Sequence, residues 1–147
     1  MARYRRVNID GKSLYKTETR LAAVALMPGT FAVIDANDKF AQANAVTGRV
    51  YIVDCAHHEG LGITDQIPAG HSAVGNYLEE GREFAVRMAA GAYTKDQPVT
   101  VSAAGLAVAV PTAAGTYQVI GYIQDDVTTT AIDFIRIRAR ASSVTVA

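Results

Sequence analysis

From Pro98 to Val110 the chain reads PVTVSAAGLAVAV. Val99 and Val101 fall on one side of an extended backbone and Thr100 and Ser102 on the other, the two-residue period of a half-buried strand. Ala103-Ala104-Gly105 breaks the run, and Leu106, Val108 and Val110 resume it with only alanine between them. Gly105 is free to take the positive φ that a three-residue hairpin loop needs. Pro98, at the head of the first strand, withholds no N–H from a ladder. The stretch predicts a β-hairpin with one apolar face, which the rest of the chain must cover.

The same alternation recurs on both sides of this hairpin. Thr30–Asp35, a turn at Ala36-Asn37-Asp38 and Lys39–Gln42 predict a second hairpin. Arg49–Asp54 (RVYIVD) is apolar on both faces from Val50 to Val53, which places it inside a sheet or at a subunit contact. Residues 55–71 are a loop, broken by Gly60, Gly62, Pro68 and Gly70. Strands come next at Ser72–Leu78 and, after the turn Glu79-Glu80-Gly81, at Glu83–Met88, where Phe84, Val86 and Met88 oppose Glu83, Ala85 and Arg87. Tyr117–Ile123 is another, and Asp133–Arg140 sets Ile135, Ile137 and Ala139 against Arg136, Arg138 and Arg140. Leu21–Met27 is apolar and stops at Pro28-Gly29. A two-turn helix capped by Thr17 or Thr19 and a buried strand fit it equally.

About nine or ten short strands, with turn signals every eight to twelve residues, describe an all-β chain: a single antiparallel β-barrel or β-sandwich. The first 20 residues differ in kind. They are polar and basic, with a short strand plausible at Arg3–Ile9, and read as a frayed terminus or as an extended N-terminal arm that orders against a partner. The organisation expected is an arm over residues 1–27 and a β-barrel domain over 28–147.

Composition narrows the picture. A chain of 147 residues is most simply one domain, able to bury a core without a metal or a disulfide. The single cysteine, Cys55, excludes an intramolecular disulfide and fits manufacture in a reducing cytoplasm. The net charge is 0, but it is unevenly spread: +4 over residues 1–20, −6 over 21–126 and +2 over 127–147. A neutral whole argues against nucleic acid as the partner. No apolar run approaches the ~20 residues of a membrane-spanning helix. Leu21–Met27 starts too late, after Asp10 and Glu18, to be a leader.

Candidate chemistry is confined to Asp54-Cys55-Ala56-His57-His58-Glu59, with Asp65 and His71 downstream. These side chains are competent metal ligands. Neighbours such as His57 and His58 point apart on an extended backbone, however, and no His-x-His, Cys-x-x-Cys or His-Glu-x-x-His spacing is present. The stretch reads as a polar surface loop, and Cys55 as a structural cysteine at a strand end. Gly60-Leu61-Gly62 lacks the helix and lysine of a phosphate loop. The Arg136/Arg138/Arg140 stripe lacks interleaved aromatics, and reads as an outward face balancing the acidic middle or as a charge-protected edge strand. No catalytic residue, metal or cofactor is expected.

The run Gly62–Gly70, then a strand, Glu80-Gly81 and Phe84-Ala85-Val86-Arg87 forms part of a longer order. It continues with Gly91, Lys95-Asp96, the 99–110 hairpin, Val119-Ile120-Gly121-Tyr122-Ile123 and Ile135-Arg136-Ile137-Arg138. This order resembles the small capsid decoration (cement) proteins of tailed bacteriophages over about residues 28–140. The resemblance implies a β-barrel or β-tulip-like domain seated on the virion surface as a dimer or trimer and clamping neighbouring major capsid protein subunits, with no catalytic residues. The arm lies outside it. From charge alone, Arg3, Arg5 and Arg6 are the expected partner-binding residues, reaching an acidic neighbour.

Two other classes compete. One is a metal-dependent β-barrel enzyme using His57, His58 and Glu59, with His71. The other is a carbohydrate- or receptor-binding β-sandwich, disfavoured by the absence of Trp and the scatter of the seven Tyr.

Overall fold

The computed structural model describes residues 4–7, 9, 16–46 and 49–147. Among them are twelve strands, no α-helix and one 3₁₀ turn, His57–Glu59. Five strands form an open sheet in the order β1-β5-β4-β2-β3, from Thr17–Leu21 (β1), Phe31–Ile34 (β2), Phe40–Gln42 (β3), Tyr51–Val53 (β4) and Ser72–Tyr77 (β5). Five more close a barrel in the order β10-β12-β6-β9-β8. They are Glu83–Met88 (β6), Pro98–Val101 (β8), Ala107–Ala109 (β9), Gly115–Ile123 (β10) and Asp133–Val146 (β12). Gly91–Tyr93 (β7) and Val127–Thr129 (β11) make a separate two-stranded ribbon. Every pairing between strands is antiparallel except β6 with β9, which meet in parallel at Met88 and Ala107. The all-β barrel expected from alternation is the fold.

β4 shows why a strand can be apolar on both faces. It lies third of five in the open sheet, and all three of its residues are buried. Ile52 joins the core shared with the barrel residues Phe84, Val86, Ile135 and Ile137. Tyr51 and Val53 face the other way, where Leu26 and Ile67 from the loops pack with Phe40. The run 21–27 supplies this lid. Leu21 ends β1, and Leu26 exchanges backbone hydrogen bonds with Ile67 at 2.8 and 3.0 Å. Of the two readings left open for the run, neither a helix nor a continuous strand forms.

The central hairpin forms with Gly105 at φ 74°, but its return strand faces the other way from expectation. Val99 pairs with Ala109 and Val101 with Ala107, while Val108 opposes Thr100 on the outside. Directly opposed residues share a face of the sheet. The two inward valines therefore bring the alanines inward with them, and Ala107 is only 2% exposed. Leu106, Val108 and Val110 are half-buried on the outer side.

Of the strand expected over Arg3–Ile9, Arg3 and Asn8 lie outside the described residues, while residues 4–7 and 9 form no strand and make two backbone bonds to β6. The Ala85 N–H donates to the Val7 carbonyl at 2.7 Å and the Ile9 N–H to the Glu83 carbonyl at 3.3 Å. Val7 is fully buried in the barrel core. The edge of β6 that β9 leaves open is thus occupied by the chain's own beginning.

The first half of β12 lies between β6 and β10, so it is not the edge strand that its arginines suggested. Its second half outruns β6. The last β6 partner is Arg138, whereas the pairing with β10 continues through Ser142–Val146 opposite Gly115–Val119. Between barrel and extension the register slips around Ile120, a β-bulge that re-aims the extension. Gly121 is required beside it, because a Cβ there would stand 2.5 Å from the Arg138 carbonyl oxygen.

Candidate functional site

The three arginines expected to bind a partner are only partly seen. Arg3 lies outside the described residues. Arg5 and Arg6 are exposed, and their neighbour Val7, buried in the barrel core, holds them against the surface. The Arg5 carbonyl accepts the Cys55 thiol at 3.7 Å. The sequence shows two charges on a polar tail; the structure fixes both at one end of the β6 edge.

Two further basic groups, Lys16 and Arg20, serve the body. Lys16 pairs with Glu79 at 2.7 Å, and Arg20 with Asp38 at 3.0 Å and Glu18 at 3.8 Å. Hydrogen bonding from Tyr51 and Tyr77, with the nearby Arg20 and Arg49 charges, holds the Glu18 carboxyl below its ordinary range. Lys16 does the same for Glu79, whose other oxygen takes the buried Arg82 at 3.0 Å.

The arginine stripe of β12 is neutralised within the chain. Arg136 meets Asp125 through two bonds of 3.0 and 2.7 Å and Glu83 at 3.4 Å. Arg138 reaches Glu83 at 2.6 Å and Arg140 reaches Glu80 at 3.7 Å. The outward face therefore balances the acidic middle residue by residue. It is not an open cationic patch.

Arg87, whose alternation placed it on the polar side of β6, has a role no spacing announced. Its guanidinium donates to the Pro28 carbonyl at 2.7 Å and the Ile63 carbonyl at 3.0 Å, and lies 4.6 Å from the Phe134 ring centre. It ties two loops of the open-sheet side to the barrel, and burial lowers its pKa. Carbonyl partners 59 and 24 residues away leave no local signature in the sequence.

The histidine loop does not converge. His57 and His58 are exposed on the 3₁₀ turn. Glu59 pairs instead with His71, Oε2 to Nδ1, at 3.0 Å. Among the described residues no three His, Cys, Asp or Glu side chains gather where they could hold one ion. Cys55 is 4% exposed. Burial, and secondarily the Asp54 charge, push its thiol up to about 12, so the thiolate a nucleophile requires is scarce at neutral pH.

The described surface thus offers ion pairs closed on themselves around a packed body. The sequence model of the XM1 gp53 minor capsid protein family matches residues 1–144. The chain belongs to that family. No curated protein sequence matches it.

Membership of a minor capsid protein family makes this a phage capsid-associated protein of the virion, with a structural role. The match also runs through the first 27 residues, which the resemblance to decoration proteins did not reach. The N-terminal segment therefore belongs to the family pattern together with the barrel.

Proposed function

We propose that this minor capsid protein is a decoration protein: it seats as a homo-oligomer on the outer surface of the major capsid protein lattice and stabilises the filled head. The observation that carries the reading is the family match over residues 1–144. The character of the body supports it. Barrel and open sheet share one core, and their charged side chains are largely paired within the chain. A rigid body repeated around symmetry axes engages several lattice subunits at once, so weak individual contacts sum to firm attachment. Arg3, Arg5 and Arg6 are the residues offered to an acidic patch of the neighbouring subunit, steering attachment more than adding affinity.

The test is co-sedimentation of the purified protein with shells assembled without it. Saturable binding at a fixed ratio to the major capsid protein is expected, together with DNA release at a higher temperature once the protein is restored. Failure to bind either expanded or unexpanded shells overturns the reading.

A further inference from the structure

The extension beyond the bulge is a two-stranded ribbon, Gly115–Val119 against Ser142–Val146, with two unlike faces. Tyr117 pairs with Val144 and Val119 with Ser142 on one side, where Val144 and Val146 are half-buried. Gln118 opposes Ser143 and Thr116 opposes Thr145 on the other, the two threonine hydroxyls 3.2 Å apart. A ribbon of two strands is marginal in water and gains stability from a third strand beside it.

β10 has β8 alongside only at Gly121 and Tyr122, inside the barrel, and among the described residues no strand pairs with the other edge of Gly115–Val119. The outer edge of β12 has the Gly81 N–H on the Ala139 carbonyl at 2.9 Å, and no backbone partner beyond that point among the described residues.

This open edge carries none of the usual protection. The arginines of β12 stop at Arg140, and residues 141–147, ASSVTVA, contain no charge and no proline. Natural sheets guard a free edge with such residues, so an unguarded stretch marks a place where pairing is wanted. Charge also selects the occupant. When a strand pairs antiparallel with its own copy, the residue on the two-fold axis faces its twin and each neighbour faces the residue equally far beyond the axis, so a charge on the axis would meet its like. A neutral segment beginning where the arginines end satisfies that condition.

We propose that the Ser142–Val146 edge pairs with the same edge of a second copy across a two-fold axis at Val144. This joins the two ribbons into one four-stranded sheet, β10-β12-β12-β10. Tyr117, Val144 and Val146 of both copies then share one apolar face. The inference deepens the oligomeric part of the decoration reading and rests on it.

Sedimentation equilibrium of the full chain tests it. The wild type is expected at twice the 15.6 kDa chain mass, Val144→Lys at the single-chain mass, and Val144→Lys mixed in equal amounts with Val144→Glu at twice that mass again, since opposite charges then face across the axis. Recovery in the mixture excludes misfolding as the cause. A monomeric wild type, a Val144→Lys variant that still dimerises, or a mixture that stays monomeric overturns the proposal. Shell binding by these same proteins separates it from the decoration reading. A dimer that ignores shells leaves the pairing standing and removes decoration. A wild-type monomer that coats shells does the reverse.

Discussion

The Arg136 guanidinium and the Asp125 carboxylate meet fork to fork, Nε to Oδ2 at 3.0 Å and Nη2 to Oδ1 at 2.7 Å. Two parallel bonds fix both groups more firmly than a single surface contact does. Arg136 also reaches Glu83 of β6, so it links the segment after β10 to the far side of β12. Truncating Asp125 to alanine leaves Arg136 with one distant partner. A loss of about 1 kcal/mol is expected in urea unfolding, and about half that or less for Arg138→Ala, whose side chain is more exposed. Equal effects would show that the fork adds nothing.

Gly121→Ala places a methyl 2.5 Å from the Arg138 carbonyl oxygen, a backbone atom that cannot turn aside. The strands must separate at the bulge. Overpacking against fixed atoms sets an expected cost of about 2–3 kcal/mol, read from the shift of the denaturation midpoint. An unchanged midpoint would mean that the bulge relaxes freely.

Cys55 makes stability depend on alkaline pH. Its folded pKa of about 12 lies above the ordinary 9.0, so from pH 9 to 12 the unfolded chain loses this proton and the folded one keeps it. Stability is level with respect to this group below pH 9 and falls by up to about 1.4 kcal/mol per pH unit above it, until the folded thiol ionises too. Cys55→Ala removes that part of the slope. In the same range a thiol reagent modifies the native protein far more slowly than the urea-unfolded chain.

Val7 decides whether the start of the chain can be cut. It is fully buried and its carbonyl takes the Ala85 N–H, which shields the Arg6–Val7 bond from trypsin until the segment lifts away. Val7→Ala costs about 1–2 kcal/mol of core burial and is expected to accelerate that cleavage at least tenfold in the free protein. Equal cleavage rates would show that the segment is already detached from β6.

The all-β architecture was legible in the chain because strand alternation and turn residues are local. The 31–42 and 98–109 hairpins and the doubly apolar β4 need only neighbours in sequence. So does the separation of Ile135, Ile137 and Ala139 from the arginines between them. Local reading faltered where a partner strand chooses the face. Leu106, Val108 and Val110 look like the core side of β9, and it took the register opposite Val99 and Val101 to bring alanines inward. The histidine loop was legible as surface, but the pairing of Glu59 with His71 across 12 residues was not.

Alternation and punctuation along the chain therefore determined strands, turns and class, since both act over a few residues. Only the tertiary structure decided that the beginning of the chain occupies the edge of β6, that Arg87 binds loops 59 and 24 residues away, and that β12 outruns its barrel into an uncovered ribbon. Those outcomes depend on which edges closure leaves unpaired. That is a property of the assembled sheets, and backbone groups, alike in every residue but proline, carry no mark of it in the sequence.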